Sequence, residues 1–281
     1  CKSGSDGVLY AGGMDGSVRS FDIAASASTV IGQHAPPSDE KSSSACSCVA
    51  TLPQQQAGSG STLVASATWS KELKLWDARQ SEAISSFDLI GKAYSMDVDP
   101  TNNRIVVAMS GRKNAFYDLR AGKLELKLER DSSLKFQSRC ARFFPDGNAI
   151  ALGSVEGRVG VEPLDELGLT RTVKKYAFKC HRANDMVYPV NCIEFHPKFL
   201  GTFATGGCDG TVVLWDGFKK KRLTALPSFP TSVSAIAFHP NGGEIAVAAS
   251  YTFEDGDREH PKDELFVRKL LESECLPKAK S

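Results

Sequence analysis

Short apolar runs alternate with turn residues along the whole chain, and the run from Ala204 to Asp216, ATGGCDGTVVLWD, shows the unit most completely. Asp209-Gly210 stands between two apolar stretches, the strongest short-range signal for a tight hairpin. Gly206 and Gly207 permit close backbone approach. Val212, Val213, Leu214 and Trp215 suit a pleated, largely buried surface, and Asp216 ends the run. The pattern predicts strand, turn, strand.

Variants of this run recur as AGGMDGSVRSFD (11–22), ASATWSKELKLWD (65–77), VAMSGRKNAFYD (107–118) and ALGSVEGRVGVEPLD (151–165). The closing aspartates at 22, 77, 118, 165 and 216 are 55, 41, 47 and 51 residues apart. Units of about 40–50 residues with four short strands and a Trp-Asp ending mark a WD-repeat β-propeller, so the expected fold is all-β. Each unit also carries an earlier strand that often ends in a proline turn, as in YSMDVDPTNN, CARFFPDGN, VNCIEFHPKF and VSAIAFHPNG. Proline supplies the fixed φ of such turns.

Six outer-strand units are expected within one propeller domain over 1–281. The last departs from the rule, with the polar insertion YTFEDGDREHPKDE before a strand at 265–270 and a polar tail at 272–281. The chain starts inside a unit, with Gly4 to Gly7 as its turn, so a seven-bladed ring lacking its first blade is expected, a six-bladed closure being the alternative. PPSDEKSSSACS (36–47) and PQQQAGSGS (53–61) read as flexible insertions within 36–61, which lengthen the first interval without adding a blade.

Composition narrows the function classes. With 41% hydrophobic and 24% charged residues the chain is that of a soluble globular protein, and a formal net charge of +1 gives no global case for nucleic acid or an anionic membrane. Neither direct nucleic-acid binding nor a membrane role is expected. Eight cysteines without a C-x-x-C pair, and no Asn-x-Ser/Thr sequon, point away from a zinc site or a secreted disulfide framework and toward a reducing compartment.

The chain contains no G-x-x-x-x-G-K-S/T, G-x-G-x-x-G, G-x-S-x-G or H-E-x-x-H motif, so no enzyme, cofactor or metal is expected; an active site in the propeller channel is the contrary hypothesis. His196 and His239 stand at the same place in successive units, before proline, which argues for hydrogen bonding or packing within the blade. Cys46 and Cys48 would share one strand face as a metal pair could, although buried core thiols fit better without a second pair. Lys219 to Arg222, KKKR, reads as an import patch or as ordinary charged loop residues.

The sharper chemistry lies between 129 and 191, where SLKFQSRCARFFP, SVEGRVGVEPLD and KKYAFKCHRANDMVYPVN place basic residues beside aromatics. In YAFKCHR, period-two alternation puts Tyr176, Phe178 and Cys180 on one face and Lys179 and His181 on the other. Strand ends and loops converge on propeller rims, so Arg139, Arg158, Lys179 and Arg182 can gather there. Such a cluster suits acidic or phosphorylated peptides, because guanidinium groups hold carboxylate or phosphate oxygens in charge-assisted pairs. The alternative is rim arginines paired with Glu129, Glu156 or Glu162.

SSLKFQSRCARFFP, EGRVGVEPLD, KKYAFKCHR, YPVNCIEFHP, FATGGCDGTVVLWDGFKKKRL and EHPKDELFVRKL, with AGGMDGSVRSFD and KLWDAR, resemble the mitotic spindle-checkpoint WD-repeat family known as budding uninhibited by benzimidazoles, protein three, over nearly the whole chain. The resemblance implies a seven-bladed, non-enzymatic scaffold in the nucleus and at the kinetochore. Its implied partners are checkpoint kinases carrying GLEBS motifs and phosphorylated Met-Glu-Leu-Thr repeats of a kinetochore scaffold protein, and ubiquitin binding is a further activity within the family. Arg139 in QSR, Arg158 in EGR, and Lys179 with Arg182 in FKCHR match the family's basic positions for phosphothreonine and acidic peptides. Trp69 matches a peptide-face aromatic, but the family's Trp-Asp is here Trp69-Ser70. The sister family, the messenger-RNA export WD-repeat factor that binds a nucleoporin GLEBS motif, is the alternative; EHPKDELFVRKL and ATGGCDGTVVLWD look closer to the checkpoint family.

Overall fold

The computed structural model describes residues 2–3, 7–35, 43–52, 62–80, 82–99, 101, 103–120, 123–168 and 173–277. Gly4 to Asp6, 36–42, 53–61 and 278–281 lie outside them, so most of the expected first turn, parts of both insertions and the end of the tail do too. The chain is all-β and forms six propeller blades in two compact units, 1–132 and 133–281.

The first unit holds three four-stranded antiparallel blades. They are β1 (Lys2–Ser3), β2 (Val8–Gly12), β3 (Ser17–Asp22) and β4 (Ala27–Gln33); β5 (Cys46–Thr51), β6 (Leu63–Thr68), β7 (Glu72–Asp77) and β8 (Ala83–Asp88); and β9 (Ala93–Asp99), β10 (Arg104–Met109), β11 (Lys113–Arg120) and β12 (Lys123–Asp131). The second unit begins with β13 (Ser138–Phe143), β14 (Ala149–Ser154), β15 (Arg158–Pro163) and β16 (Tyr176–Lys179), followed by a small hairpin, β17 (Arg182–Ala183) and β18 (Met186–Val187). The fifth blade is β19 (Val190–Phe195), β20 (Thr202–Gly207), β21 (Val212–Asp216) and β22 (Lys221–Ala225); the sixth has three strands, β23 (Val233–Phe238), β24 (Glu244–Ala249) and β25 (Glu264–Lys269).

Burial follows the repeat. Every residue of β6, β10, β14 and β20 is buried, because these second strands pack on both faces, whereas β8 and β16 alternate half-buried and exposed residues. One core joins the second and third blades through Leu73, Leu75, Met96, Ile105 and Tyr117. Another joins the fourth and fifth through Phe144, Val159, Val161, Ile193 and Phe203. Each such large side chain contributes about 1.5–3 kcal/mol on burial.

The hairpin between second and third strands needs a left-handed residue at one place in five blades, with φ of +79° at Gly16, +67° at Lys71, +61° at Arg112, +59° at Gly157 and +69° at Gly210. Glycine enters that region without a Cβ clash, which explains three of the five choices.

Several expectations are corrected. The strand of the fourth blade ends at Pro163, opposite Ala149, and Asp165 falls in a short 3₁₀ turn, so Asp165 is not the structural counterpart of Asp77 or Asp216. A bulge between Cys46 and Cys48 turns their side chains to opposite sheet faces. Cys46 packs with Tyr10, Val18 and Trp76, and Cys48 with the core shared by the second and third blades, which rules them out as a metal pair. The last strand runs one residue earlier than expected, and the tail begins with a turn of helix, α1 (Glu272–Cys275), whose Cys275 is buried and accepts a hydrogen bond from Thr202 Oγ1 through its carbonyl at 3.0 Å.

Candidate peptide-binding rim of the second unit

Antiparallel pairing sets the first residue of β15, Arg158, directly across from the last residue of β16, Lys179, so both cations stand at one end of the fourth blade. The turn that precedes Arg158 brings Glu156 to the same end. Arg158 Nε lies 3.3 Å from Glu156 Oε2, and Arg182 Nη2 lies 3.9 Å from Glu156 Oε1 while donating to the Glu156 carbonyl at 3.0 Å. Lys179 is exposed and has no carboxylate within ion-pairing distance among the described residues. Three cations therefore stand with one carboxylate at this blade end.

Gly157 makes this arrangement possible. A Cβ there would lie 2.7 Å from the Cys180 carbonyl oxygen and 2.8 Å from that of Tyr188, so the segment carrying Arg182 can cross the turn only over glycine. The β17–β18 hairpin then presents Met186, 60% exposed, and Val187 beside Arg182, giving the charged cluster an apolar border.

Arg139 does not join Glu156. It sits half-buried in the bulge at the start of β13, and its Nη1 lies 3.9 Å from Cys208 Sγ. Cys208 in turn contacts Asn191 Oδ1 and Thr252 Oγ1, each at 3.3 Å, and Glu254 accepts from Thr252 at 2.8 Å and from Ser232. Burial tends to raise the Glu254 carboxyl, but the hydrogen bond from Ser232 and those around Thr252 outweigh it and hold the group below the usual range. Trp69 belongs to the first unit, 36% exposed, with its amide donating to the Ala45 carbonyl at 3.1 Å. Of the alternative partners, Glu156 does pair with rim arginines, and buried Glu162 accepts from the Ser133 amide at 2.7 Å.

His181 departs from the alternation that placed it beside Lys179. The strand stops at Lys179, His181 takes φ +47°, and its ring turns inward. Nε2 meets Thr205 Oγ1 at 2.8 Å, Nδ1 meets Asp209 Oδ1 at 2.9 Å, and Trp215 Nε1 donates to Thr205 Oγ1 at 2.9 Å. Gly207 permits this, since a Cβ there would collide with the His181 ring. Burial pushes the Asp209 carboxyl up, but hydrogen bonds from His181 and Thr211 outweigh it and leave it below the usual range. An equivalent chain runs in the first unit: His34 Nδ1 to Glu72 Oε2 at 2.7 Å, His34 Nε2 to Ser66 Oγ at 2.7 Å, and Trp76 Nε1 to Ser66 Oγ at 2.7 Å. The ten-residue spacing Ser66–Trp76 and Thr205–Trp215, with an acid between, is the signal that could have revealed both chains from sequence.

His196 and His239 share a role, as their repeated position suggested. His196 Nδ1 accepts from the Lys198 and Phe199 amides, each at 3.1 Å, and Nε2 contacts the Gly242 carbonyl at 3.1 Å; His239 Nδ1 accepts from the Asn241 amide at 3.2 Å. Burial holds the His196 imidazole below its ordinary range, which keeps Nδ1 free to accept. Burial likewise pushes the Cys46 and Cys140 thiols up to about 12, which disfavours their thiolates.

Residues 172–216 match the WD domain, G-beta repeat family. Over 273 residues the chain is 41% identical to the mitotic checkpoint protein bub3 of Dictyostelium discoideum, covering 95% of this chain and 77% of the relative. It is 46% identical over 226 residues to the mitotic checkpoint protein BUB3.1 of Arabidopsis thaliana, covering 77% and 65% of the two chains. Against the poly(A)+ RNA export protein of Schizosaccharomyces pombe the identity falls to 35% over 257 residues, covering 89% and 68%. The export relative matches less well over a similar span. The chain therefore belongs to the Bub3 family of WD-repeat mitotic checkpoint proteins.

Proposed function

We propose that this checkpoint protein is a non-enzymatic scaffold whose second-unit rim reads phosphorylated Met-Glu-Leu-Thr repeats of a kinetochore scaffold, and which also binds GLEBS-type motifs of checkpoint kinases, so that the kinases are recruited to unattached kinetochores. The observation that carries this reading is the excess of cations around Glu156: Arg158, Arg182 and the exposed Lys179 at one blade end. A phosphothreonine brings close to two negative charges and three strong acceptor oxygens. Lys179 supplies a point charge, and the two guanidiniums, already oriented by Glu156, supply directed donors. Glu156 offsets one of the three cations, and the positive excess that remains attracts a doubly charged phosphate more strongly than a single carboxylate. Arg139, held at Cys208 away from Glu156, is assigned in this reading to the acidic part of the peptide rather than to the phosphate.

Fluorescence anisotropy with a Met-Glu-Leu-Thr peptide, phosphorylated and not, tests the reading on the parent, Arg158→Glu and Lys179→Glu. Binding of the phosphopeptide alone, weakened at least tenfold in either variant, is expected. Equal binding of both peptides to the folded protein would overturn it and favour the export reading, in which a nucleoporin GLEBS motif is the partner, as the 35% identity to an RNA export protein allows.

A further inference from the structure

β16 carries a second feature at its other end. Tyr176 lies three residues before Lys179, about 10 Å along the strand. There Val173, Lys174, Tyr176, Gly217, Phe218 and Lys220 line a cavity of about 230 Å³ between the loop entering β16 and the turn between β21 and β22. The cavity is smaller than the roughly 300–1,000 Å³ that small-molecule pockets occupy, and so suits one inserted side chain rather than a whole ligand.

Its walls are fixed. Tyr176 donates its hydroxyl to the Gly217 carbonyl at 2.5 Å, and Asp216 Oδ1 accepts from the Phe218 and Lys219 amides at 3.0 and 2.9 Å, pinning the turn. Lys220 takes φ +59°, an uncommon conformation for lysine, and its Nζ lies 4.5 Å from the centre of the Tyr176 ring. Val173, buried, and Phe218, 40% exposed, give the lining apolar surface beside the polar groups of Lys174, Tyr176 and Lys220.

The charge around the cavity is one-sided. Lys174, Lys175, Lys220, Lys221 and Arg222 have no carboxylate within ion-pairing distance among the described residues, and Asp216 is engaged in capping the turn. Lys221 and Arg222 are paired in β22, opposite Asp216 and Trp215, so the KKKR run is part of ordered structure. In a chain of net charge +1, this is a concentrated positive patch around a socket that offers the apolar faces of Val173, Tyr176 and Phe218.

We propose that this end of the fourth and fifth blades is a second peptide site, separate from the Arg158 rim, where an acidic segment of a protein partner seats one apolar side chain against Tyr176 and Phe218 while Lys174 and Lys220 hold its flanking carboxylates. A bare polyanion would use the lysines and leave the socket empty. The anchor residue is what gives the site selectivity.

The probe is a fluorescein-labelled peptide, Asp-Glu-Asp-Phe-Glu-Asp-Glu, compared with the same peptide carrying Ser for Phe, and with a ten-nucleotide oligouridylate as competitor. The expected result is at least fivefold tighter binding of the Phe peptide, a loss of tenfold or more in Lys174→Glu and Lys220→Glu, and no change in Arg158→Glu. Phe218→Ala, exposed enough to leave the fold intact by circular dichroism, should remove the preference for Phe. Equal binding of the Phe and Ser peptides, insensitivity to Lys220→Glu, or stronger binding of the oligouridylate would overturn the proposal. Because Arg158→Glu separates the two ends, this outcome is independent of the phosphopeptide result.

Discussion

The second and fifth blades solve one problem in two ways. Each buries a histidine that contacts a hydroxyl, Ser66 or Thr205, which a tryptophan ten residues later also reaches. In the fifth blade a single turn residue, Asp209, holds His181 and also accepts from the Thr211 amide at 3.1 Å. In the second blade Ser70 occupies that turn position, contacting Thr68 Oγ1 at 2.7 Å, and the acid has moved to Glu72, on strand β7, where it holds His34 and pairs with Lys74 at 3.1 Å. The serine at this turn position is thus compensated two residues later. In both of these blades the buried imidazole meets a carboxylate, and the backbone position that supplies it is negotiable.

The comparison breaks most severely at the tryptophans. Trp76→Ala should cost about 3–5 kcal/mol, since it empties a fully packed site and leaves Ser66 short of a donor; Trp215→Ala, less buried, should cost less in a urea titration. Thr205→Val should cost about 1–3 kcal/mol by stranding both the His181 Nε2 and the Trp215 N–H. Equal stability of Thr205→Val and parent would show that the chain of hydrogen bonds is incidental.

A sharper version transplants one solution into the other. Glu72→Thr alone should lose about 1–2 kcal/mol, and adding Ser70→Asp should recover most of it by rebuilding the fifth-blade turn in the second. A double variant no more stable than Glu72→Thr would mean that the two acids are not equivalent.

Acidification separates the partners. Burial holds His34 below its ordinary range despite Glu72, so the unfolded chain binds the proton more readily; stability present above about pH 6.5 is lost as the pH falls through that value. His196 adds to the same window in the second unit. Glu72 and Asp209, both held below the usual carboxylate range, contribute stability that persists until lower pH and is lost from about pH 4 downward. Thermal melts from pH 8 to 3 should show two steps; a flat profile between pH 7 and 5 would contradict the neutral, buried imidazoles. The smallest effect is Lys71→Gly, which relieves a left-handed lysine and should add about 0.5 kcal/mol, whereas Gly210→Lys should destabilise.

The blades were legible because Asp-Gly turns and alternating runs are local signals, and 204–216 folds as its pattern says. Cys46, Cys48 and His181 were misplaced where a bulge or a left-handed residue breaks period-two alternation, which side-chain pattern does not register. The basic residues were identifiable by type, but their grouping depends on strand register and on Gly157: Arg158, Lys179 and Arg182 meet at the blade end that carries Glu156, and Arg139 goes to Cys208. The Tyr176 socket joins residues some 40 positions apart in sequence, through a hydrogen bond from Tyr176 to a backbone carbonyl, and had no local signature.

The most direct test of the rim is a double-mutant cycle between peptide phosphate and Lys179, measuring Kd for phosphorylated and unphosphorylated Met-Glu-Leu-Thr peptide with the parent and with Lys179→Gln at fixed ionic strength. A Lys179 that contacts phosphate predicts a weakening of tenfold or more for the phosphopeptide and less than twofold for the plain peptide. Equal weakening of both, or of neither, would contradict a phosphate-reading rim.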